Sequence, residues 1–394
     1  MKRLINRAVF TAVAVFMTVG MATAVPVVSN VEMMQLEGSR TVKVTYDLNG
    51  EAAIVTLGIE TNGVAIPDSA VTRLTGDVCK VVELGTDKTI IWNAGADWPE
   101  NVTESAKAKV TAWSVDAPPQ VMVIDLSGGE NADVYPVNYY VSTAALPYGG
   151  VTNSIYKDSY LVMRKIPNGA FTMGEGTGTK AVVLTNDFYA GVFQVTQGQW
   201  GKVMGTDPSD FKDPFNPVNL VSYDDIRGVT DGAEWPDSAK VDLGSFMGKL
   251  RDRTGLTTFD LPTDAQWEYA CRAETTSYFN DGFSTSEVDT EILNELGWWT
   301  GNSVAKPHPV GQKKPNTWGL YDMHGNVWER CLDWYASSLT GGVNPVGAES
   351  GSSRVRRGGS WSNPATSCRL AFRSSRAPSS GNVSIGFRLV RTLP

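Results

Sequence analysis

Polar and apolar residues alternate along 41–46: Val42, Val44 and Tyr46 fall between Thr41, Lys43 and Thr45. Val55, Leu57 and Ile59 resume the same period after an Asn49-Gly50 step, and Asn62-Gly63 closes the run. A period of two sends successive side chains to opposite faces of a strand. Asn-Gly readily supplies the positive-φ residues of a tight hairpin turn. Strand patterns at 78–84, 89–93 and 107–115 follow without a helical period. Residues 25–116 are therefore expected to form an all-β domain, and short strands at this spacing predict an immunoglobulin- or fibronectin-like sandwich. Residues 117–158 carry Pro118-Pro119, Gly128-Gly129 and Gly149-Gly150 and read as a linker with some order of its own. Within it, 122–126 is apolar enough to add a strand to either neighbour.

From residue 159 onward the period changes. Thr196 with Gln199 forms a capping-box pattern, followed by an apolar face of Trp200, Val203 and Met204 and a stop at Gly205. Leu243, Phe246, Met247 and Leu250 recur at helical spacing before Gly255. A third helix is predicted from Thr263 and Gln266, with Trp267, Ala270 and Cys271 on its inner face. Gly, Pro, Asn and Ser crowd the intervals between these helices, so residues 159–394 predict a loop-rich α+β domain.

Composition narrows the setting. The 394 residues are 42% hydrophobic and 19% charged, which is globular, and the formal net charge of −8 with no basic stripe argues against a nucleic-acid partner. Residues 1–24 read as a secretory signal: Lys2, Arg3 and Arg7 precede an apolar run from Ala8 to Met21, and Ala22-Thr23-Ala24 offers a small-x-small cleavage site. An uncleaved anchor is the rival reading. No later apolar run is long enough for a membrane span, so the chain is expected to be secreted or periplasmic. Four cysteines (Cys79, Cys271, Cys331, Cys368) are too few for a disulfide-built scaffold of this length, and two histidines exclude any three-histidine metal site.

Four strings carry the candidate chemistry: residues 261–272 (LPTDAQWEYACR), 319–329 (GLYDMHGNVWE), 356–361 (RRGGSW) and 386–391 (GFRLVR). In the second, Asp322 and Glu329 are hard carboxylates seven residues apart, and Gly325-Asn326 turns the chain so that carbonyls point inward. Oxygen donors of this kind suit Ca²⁺. His324 is a poor calcium donor and is expected at the surface or hydrogen-bonded. Most of the arginines Arg369, Arg373 and Arg376 are expected to pair with acids in a small core, with one left to face a ligand.

Together, in this order, the four strings resemble the formylglycine-generating enzyme family, or sulfatase-modifying factors, over roughly residues 159–394. The resemblance implies a C-type-lectin-like α+β fold. It implies a calcium site made of Asp322, the carbonyls of Gly325 and Val327, and Glu329. It places Ser360 and Trp361 at the floor of a groove, which makes Trp361, Asn363 and Arg373 the ligand-binding candidates and Cys368, Ser360 and Trp328 the catalytic ones. The family oxidises a cysteine of a sulfatase peptide to formylglycine with O₂ and copper, and soft Cu(I) wants two thiolates. Counted from Trp361, the two family cysteine positions fall on Asn363 and Cys368, so the pair is incomplete, and the loop is about three residues shorter than the family's. Copper is therefore not expected. The resemblance also implies a Cys271–Cys368 disulfide. The leading expectation is a non-catalytic module that binds a peptide, protein or glycan. The alternatives are an active sulfatase-cysteine oxidase or a different enzyme using the same groove.

Overall fold

The computed structural model describes residues 25–229, 235–236 and 238–394; the signal-like segment 1–24 lies outside them. In the N-terminal region the Thr41–Asn49 strand buries Val42, Val44, Tyr46 and Leu48 and leaves the intervening residues partly open, as alternation predicts. It lies between Val27–Gln35 and Gly85–Asn93, with Leu74–Gly76 on the far edge. A second sheet is built on Ala53–Thr61, which pairs with Lys107–Trp113, Val64–Ala65 and Val81–Val82. Asn62 and Gly63 both take positive φ (53° and 77°), the geometry of a two-residue hairpin turn. The two sheets enclose one core that includes Val44, Tyr46, Val55, Leu57, Ile90 and Trp92.

The Ala53–Thr61 strand departs from simple alternation. Ile54 and Thr56 are buried as well as Val55 and Leu57. Thr56 accepts a hydrogen bond from Trp113 Nε1 at 2.8 Å, and Ile54 belongs to the core cluster of the following domain, where its strand touches Val137–Tyr140. The segment expected as a linker supplies two strands to that domain. Val121–Asp125 pairs with both Val137–Tyr140 and Tyr160–Ile166, so its apolar run does add a strand, on the C-terminal side.

The C-terminal sheet runs Val137–Tyr140, Val121–Asp125, Tyr160–Ile166, Phe188–Gly191, Val390–Thr392, Phe259–Asp260, with antiparallel neighbours throughout. Helices pack against it. Gln197–Met204 has the predicted capping box of Thr196 and Gln199 and ends at a left-handed Gly205. Phe246–Thr254 is capped by Ser245 and buries Phe246, Met247 and Leu250. Leu243, expected on that face, precedes the cap and is 79% exposed, because the helical period begins only after Ser245. Asp264–Arg272, capped by Thr263 and Gln266, is buried along its whole length and packs against Gly169–Met173 of a three-stranded sheet and against Trp328–Trp334 and Arg354–Arg357 of a four-stranded one. This second, four-stranded sheet runs Arg373–Arg376, Arg354–Arg357, Trp328–Trp334, Ile385–Gly386, the last strand parallel. The result is a mixed α/β domain, and no helix among the described residues is long and apolar enough to cross a membrane.

Candidate functional site

The site is built on the second sheet. Across its strands Glu329 faces Arg357, Arg357 faces Arg373, Arg330 faces Arg356, and Arg354 faces Arg376. Strand alternation therefore sorts the arginines onto two faces. Arg357 and Arg373 turn inward with Glu329. Arg330, Arg354, Arg356 and Arg376 share the opposite face with Trp328; Arg330 and Arg354 are buried there on backbone carbonyls, and only Arg356 and Arg376 are half-buried.

The inward arginines are consumed by acids. Arg357, fully buried, donates to Asp264 Oδ1 at 2.5 Å and to Glu268 Oε2 at 2.7 Å. Glu268 also receives Arg272, and Asp264 Oδ2 receives Arg373 Nε at 2.7 Å. Arg373 donates a further bond to the carbonyl of Ala336, so this ligand-binding candidate is tied into the core network and turned away from Trp361. Asp333 joins the network by accepting from the Asp264 amide at 2.7 Å; burial, aided by the neighbouring Asp264 charge, pushes its carboxyl up to about 7.

The outward face is different. Among the described residues Arg330, Arg356 and Arg376 enter no ion pair. The Arg356 guanidinium lies 4.6 Å over the Trp328 ring and donates to Ser374 Oγ, and Arg376 Nε is buried without a partner. Burial holds Arg330 and Arg356 down to about 10, and the neighbouring arginine charges push the same way. Trp328 connects this face to the expected groove floor: its Nε1 donates to Asn363 Oδ1 at 2.8 Å, and Ser360 Oγ donates to the same oxygen at 2.5 Å. Trp361 is half-buried beside them, edge-on to Phe211. Trp328, Ser360, Trp361 and Asn363 are thus brought together. Arg330 and Arg356 were not singled out from the sequence, yet the alternation of Arg354, Val355, Arg356 and Arg357 already separates two arginine faces once the segment is known to be a strand.

The cysteines are not brought together. All four are free thiols, so the expected Cys271–Cys368 disulfide is absent. Packing explains it: Cys271 lies in a cluster with Trp267, Ala270 and Met323, whereas Cys368 packs with Phe279, Leu293, Leu296 and Ala365. Burial pushes the Cys368 thiol up to about 12 and raises Cys271 and Cys331 as well. With Asn363 serving Trp328 and Ser360, and Cys368 a buried neutral thiol, the donors do not fit Cu(I). Ellman's reagent is expected to leave Cys271, Cys331 and Cys368 unmodified in the native protein and to titrate them on unfolding. Rapid native modification of Cys368 would contradict this placement.

The expected calcium donors do converge, but on a side chain. Gln194 Nε2 lies 2.9 Å from the Val327 carbonyl, 2.9 Å from Glu329 Oε1, and 3.3 Å from the carbonyls of Gly325 and Asp322. Glu329 is already paired with Arg388 through Nε and Nη2, each at 2.9 Å, and accepts from Trp267 Nε1 at 2.7 Å. Asp322 accepts from the Gly311 amide at Oδ2, its Oδ1 is buried without a partner, and burial pushes the carboxyl up to about 6. As arranged, these residues do not fit a calcium ion. His324, beside them, is buried and hydrogen-bonded, its Nδ1 2.7 Å from the Cys368 carbonyl. Gln194 was missed in the sequence. Its only signal is one amide inside the apolar run 191–195 (GVFQV).

Residues 156–393 match the sulfatase-modifying factor enzyme 1-like domain. The chain is 28% identical over 260 residues to the chaperone protein LppX of Paenibacillus barcinonensis, covering 58% of this chain and 88% of that protein. It is 30% identical over 283 residues to the formylglycine-generating enzyme of Streptomyces coelicolor, covering 57% and 87%. Among solved structures it is similar to Treponema denticola variable protein 1, with 28% identity, coverage of 60% and 96%, and a TM-score of 0.48.

Proposed function

The chain belongs to the sulfatase-modifying factor enzyme 1-like family, and on that premise we propose that its C-terminal domain is a non-catalytic module that binds an anionic stretch of peptide or glycan. The observation that carries this reading is the pair of half-buried guanidiniums of Arg356 and Arg376, which have no ion-pair partner among the described residues and lie on the same face of the sheet as Trp328, over whose ring Arg356 sits. Arginine forks match carboxylate and sulfate geometry, and charge-assisted bonds of this type are about twice as strong as neutral ones. Trp361 and Phe211 provide apolar contact beside them, and Asn363 holds the turn that presents Trp361.

The thiol geometry supports the non-catalytic half of the proposal. A copper-dependent oxidase needs two soft ligands at the groove floor, and the second family position, Cys368, is a buried neutral thiol. An exported location, an immunoglobulin- or fibronectin-like N-terminal spacer and a C-type-lectin-like frame belong to the same proposal. The similarity to a protein named a chaperone is in keeping with a binding role.

The test is a binding screen of the full chain against acidic peptides and sulfated or uronate glycans, with neutral counterparts as controls. Binding should be confined to the anionic ligands and weaken with salt. Arg356→Ala combined with Arg376→Ala should lower affinity at least about tenfold, given about 1.5–3 kcal/mol per charge-assisted bond. Equal binding of neutral ligands would remove the arginine face from the argument. Incubation of a Cys-x-Pro-x-Arg peptide with the protein, Cu(I) and O₂ should leave the thiol intact by mass spectrometry. Conversion to the aldehyde would replace the binding reading with the oxidase.

A further inference from the structure

Four oxygens, the carbonyls of Asp322, Gly325 and Val327 and the Glu329 carboxylate, face one nitrogen inside the protein. A carboxamide has two N–H protons, so Gln194 serves only two of these acceptors with short bonds, and the other two remain at 3.3 Å. Chain segments place four oxygens around one point at the expense of their mutual repulsion, and only a centre of positive charge or a donor relieves it. Calcium would take such oxygens at about 2.3–2.6 Å with six to eight donors; here the centre is already filled by nitrogen at hydrogen-bond distances. The reverse orientation of the amide would set Oε1 against all four oxygens with nothing to bridge them. With no cation at the centre, the orientation that aims Nε2 at the four oxygens is therefore the one the cage selects, and it leaves Oε1 buried without a partner.

Charge points the same way. The Glu329 carboxylate is neutralised by Arg388, itself 1% exposed. A divalent ion in this cage would bring two further positive charges against Arg388 in a region closed to water, with Asp322 the one remaining acid, its Oδ2 on the Gly311 amide and its Oδ1 without a partner.

We propose that the side-chain amide of Gln194 takes the place of a cation in this domain. It ties 322–329 to the 191–195 segment, and so to the edge of the Phe188–Gly191 strand, leaving the fold independent of calcium. This stands apart from the ligand-binding reading, because the cage is sealed in the core and Trp361 lies at the surface.

The experiment is a pair of thermal melts of the full chain, in EDTA and in millimolar CaCl₂, for wild type and Gln194→Ala. Wild type is expected to melt at the same temperature in both. The variant is expected to melt several degrees lower in EDTA and to recover part of the loss in calcium, because the vacated cage then admits the ion and binding to the native state raises stability. A wild-type midpoint that rises with calcium overturns the proposal, as does a variant that melts with wild type in EDTA. Should the variant not fold, calorimetric titration of wild type with Ca²⁺ decides: no binding heat supports the substitution, and a stoichiometric heat overturns it.

Discussion

Arg357→Met is expected to destabilise the chain by about 3–5 kcal/mol, the cost of removing one partner from a buried ion pair. Arg357 is fully buried and bonds both Asp264 and Glu268. Without it, Asp264 keeps Arg373 and Glu268 keeps Arg272, but one oxygen of each carboxylate loses its charged donor in a site closed to water. The urea midpoint at neutral pH reports the loss. Arg357→Lys, which keeps one charged donor in the same site, should lose less than Arg357→Met, since the penalty lies in the carboxylate oxygens left without a donor. A loss below about 1 kcal/mol, the range of exposed pairs, would mean that this network is open to water.

A pH effect of opposite character is expected from Asp333. Its carboxyl is raised from 3.8 to about 7 by burial and by Asp264. Between these values the unfolded chain has released the proton while the folded chain retains it, so stability falls as pH rises. The contribution is complete below about pH 4 and is lost as pH passes through 7. Asp333→Asn retains an oxygen for the Asp264 amide and does not titrate. Denaturation of wild type and variant at a series of pH values should show the variant gaining on wild type by a few kcal/mol as pH rises from 4 to 8. Parallel curves would show that Asp333 is ionised in the fold across this range.

What the sequence made legible was local. Val42, Val44 and Tyr46 declare a half-buried strand because each side chain's fate follows from its neighbours in the period. Thr196 and Thr263 declare helix starts because a cap is a four-residue device. Ile54 does not declare itself: it lies on what should be the open face of its strand and is buried by a domain that begins some seventy residues later in the chain. The Cys271–Cys368 disulfide came from the family resemblance alone, and the two thiols are free because they sit in different packed clusters. The site was half legible. Trp328, Ser360, Trp361 and Asn363 converge, as the ordered strings suggested. The division of the arginines between the two faces of the sheet required the register of three strands, which no short string encodes.

The burial of Ile54 in the core cluster of the C-terminal domain, together with the backbone hydrogen bond from the Tyr139 amide to the Cys79 carbonyl, joins the two regions by packing and hydrogen bonding as well as through the chain itself. The arginine face is thus held at one angle to the N-terminal sheets rather than swinging on a tether. A ligand docking there meets a surface that is already oriented, so the ordering entropy of association falls mainly on the ligand. Copies of the chain arrayed side by side would present their faces in a common direction, a geometry suited to gripping repetitive ligands at many points.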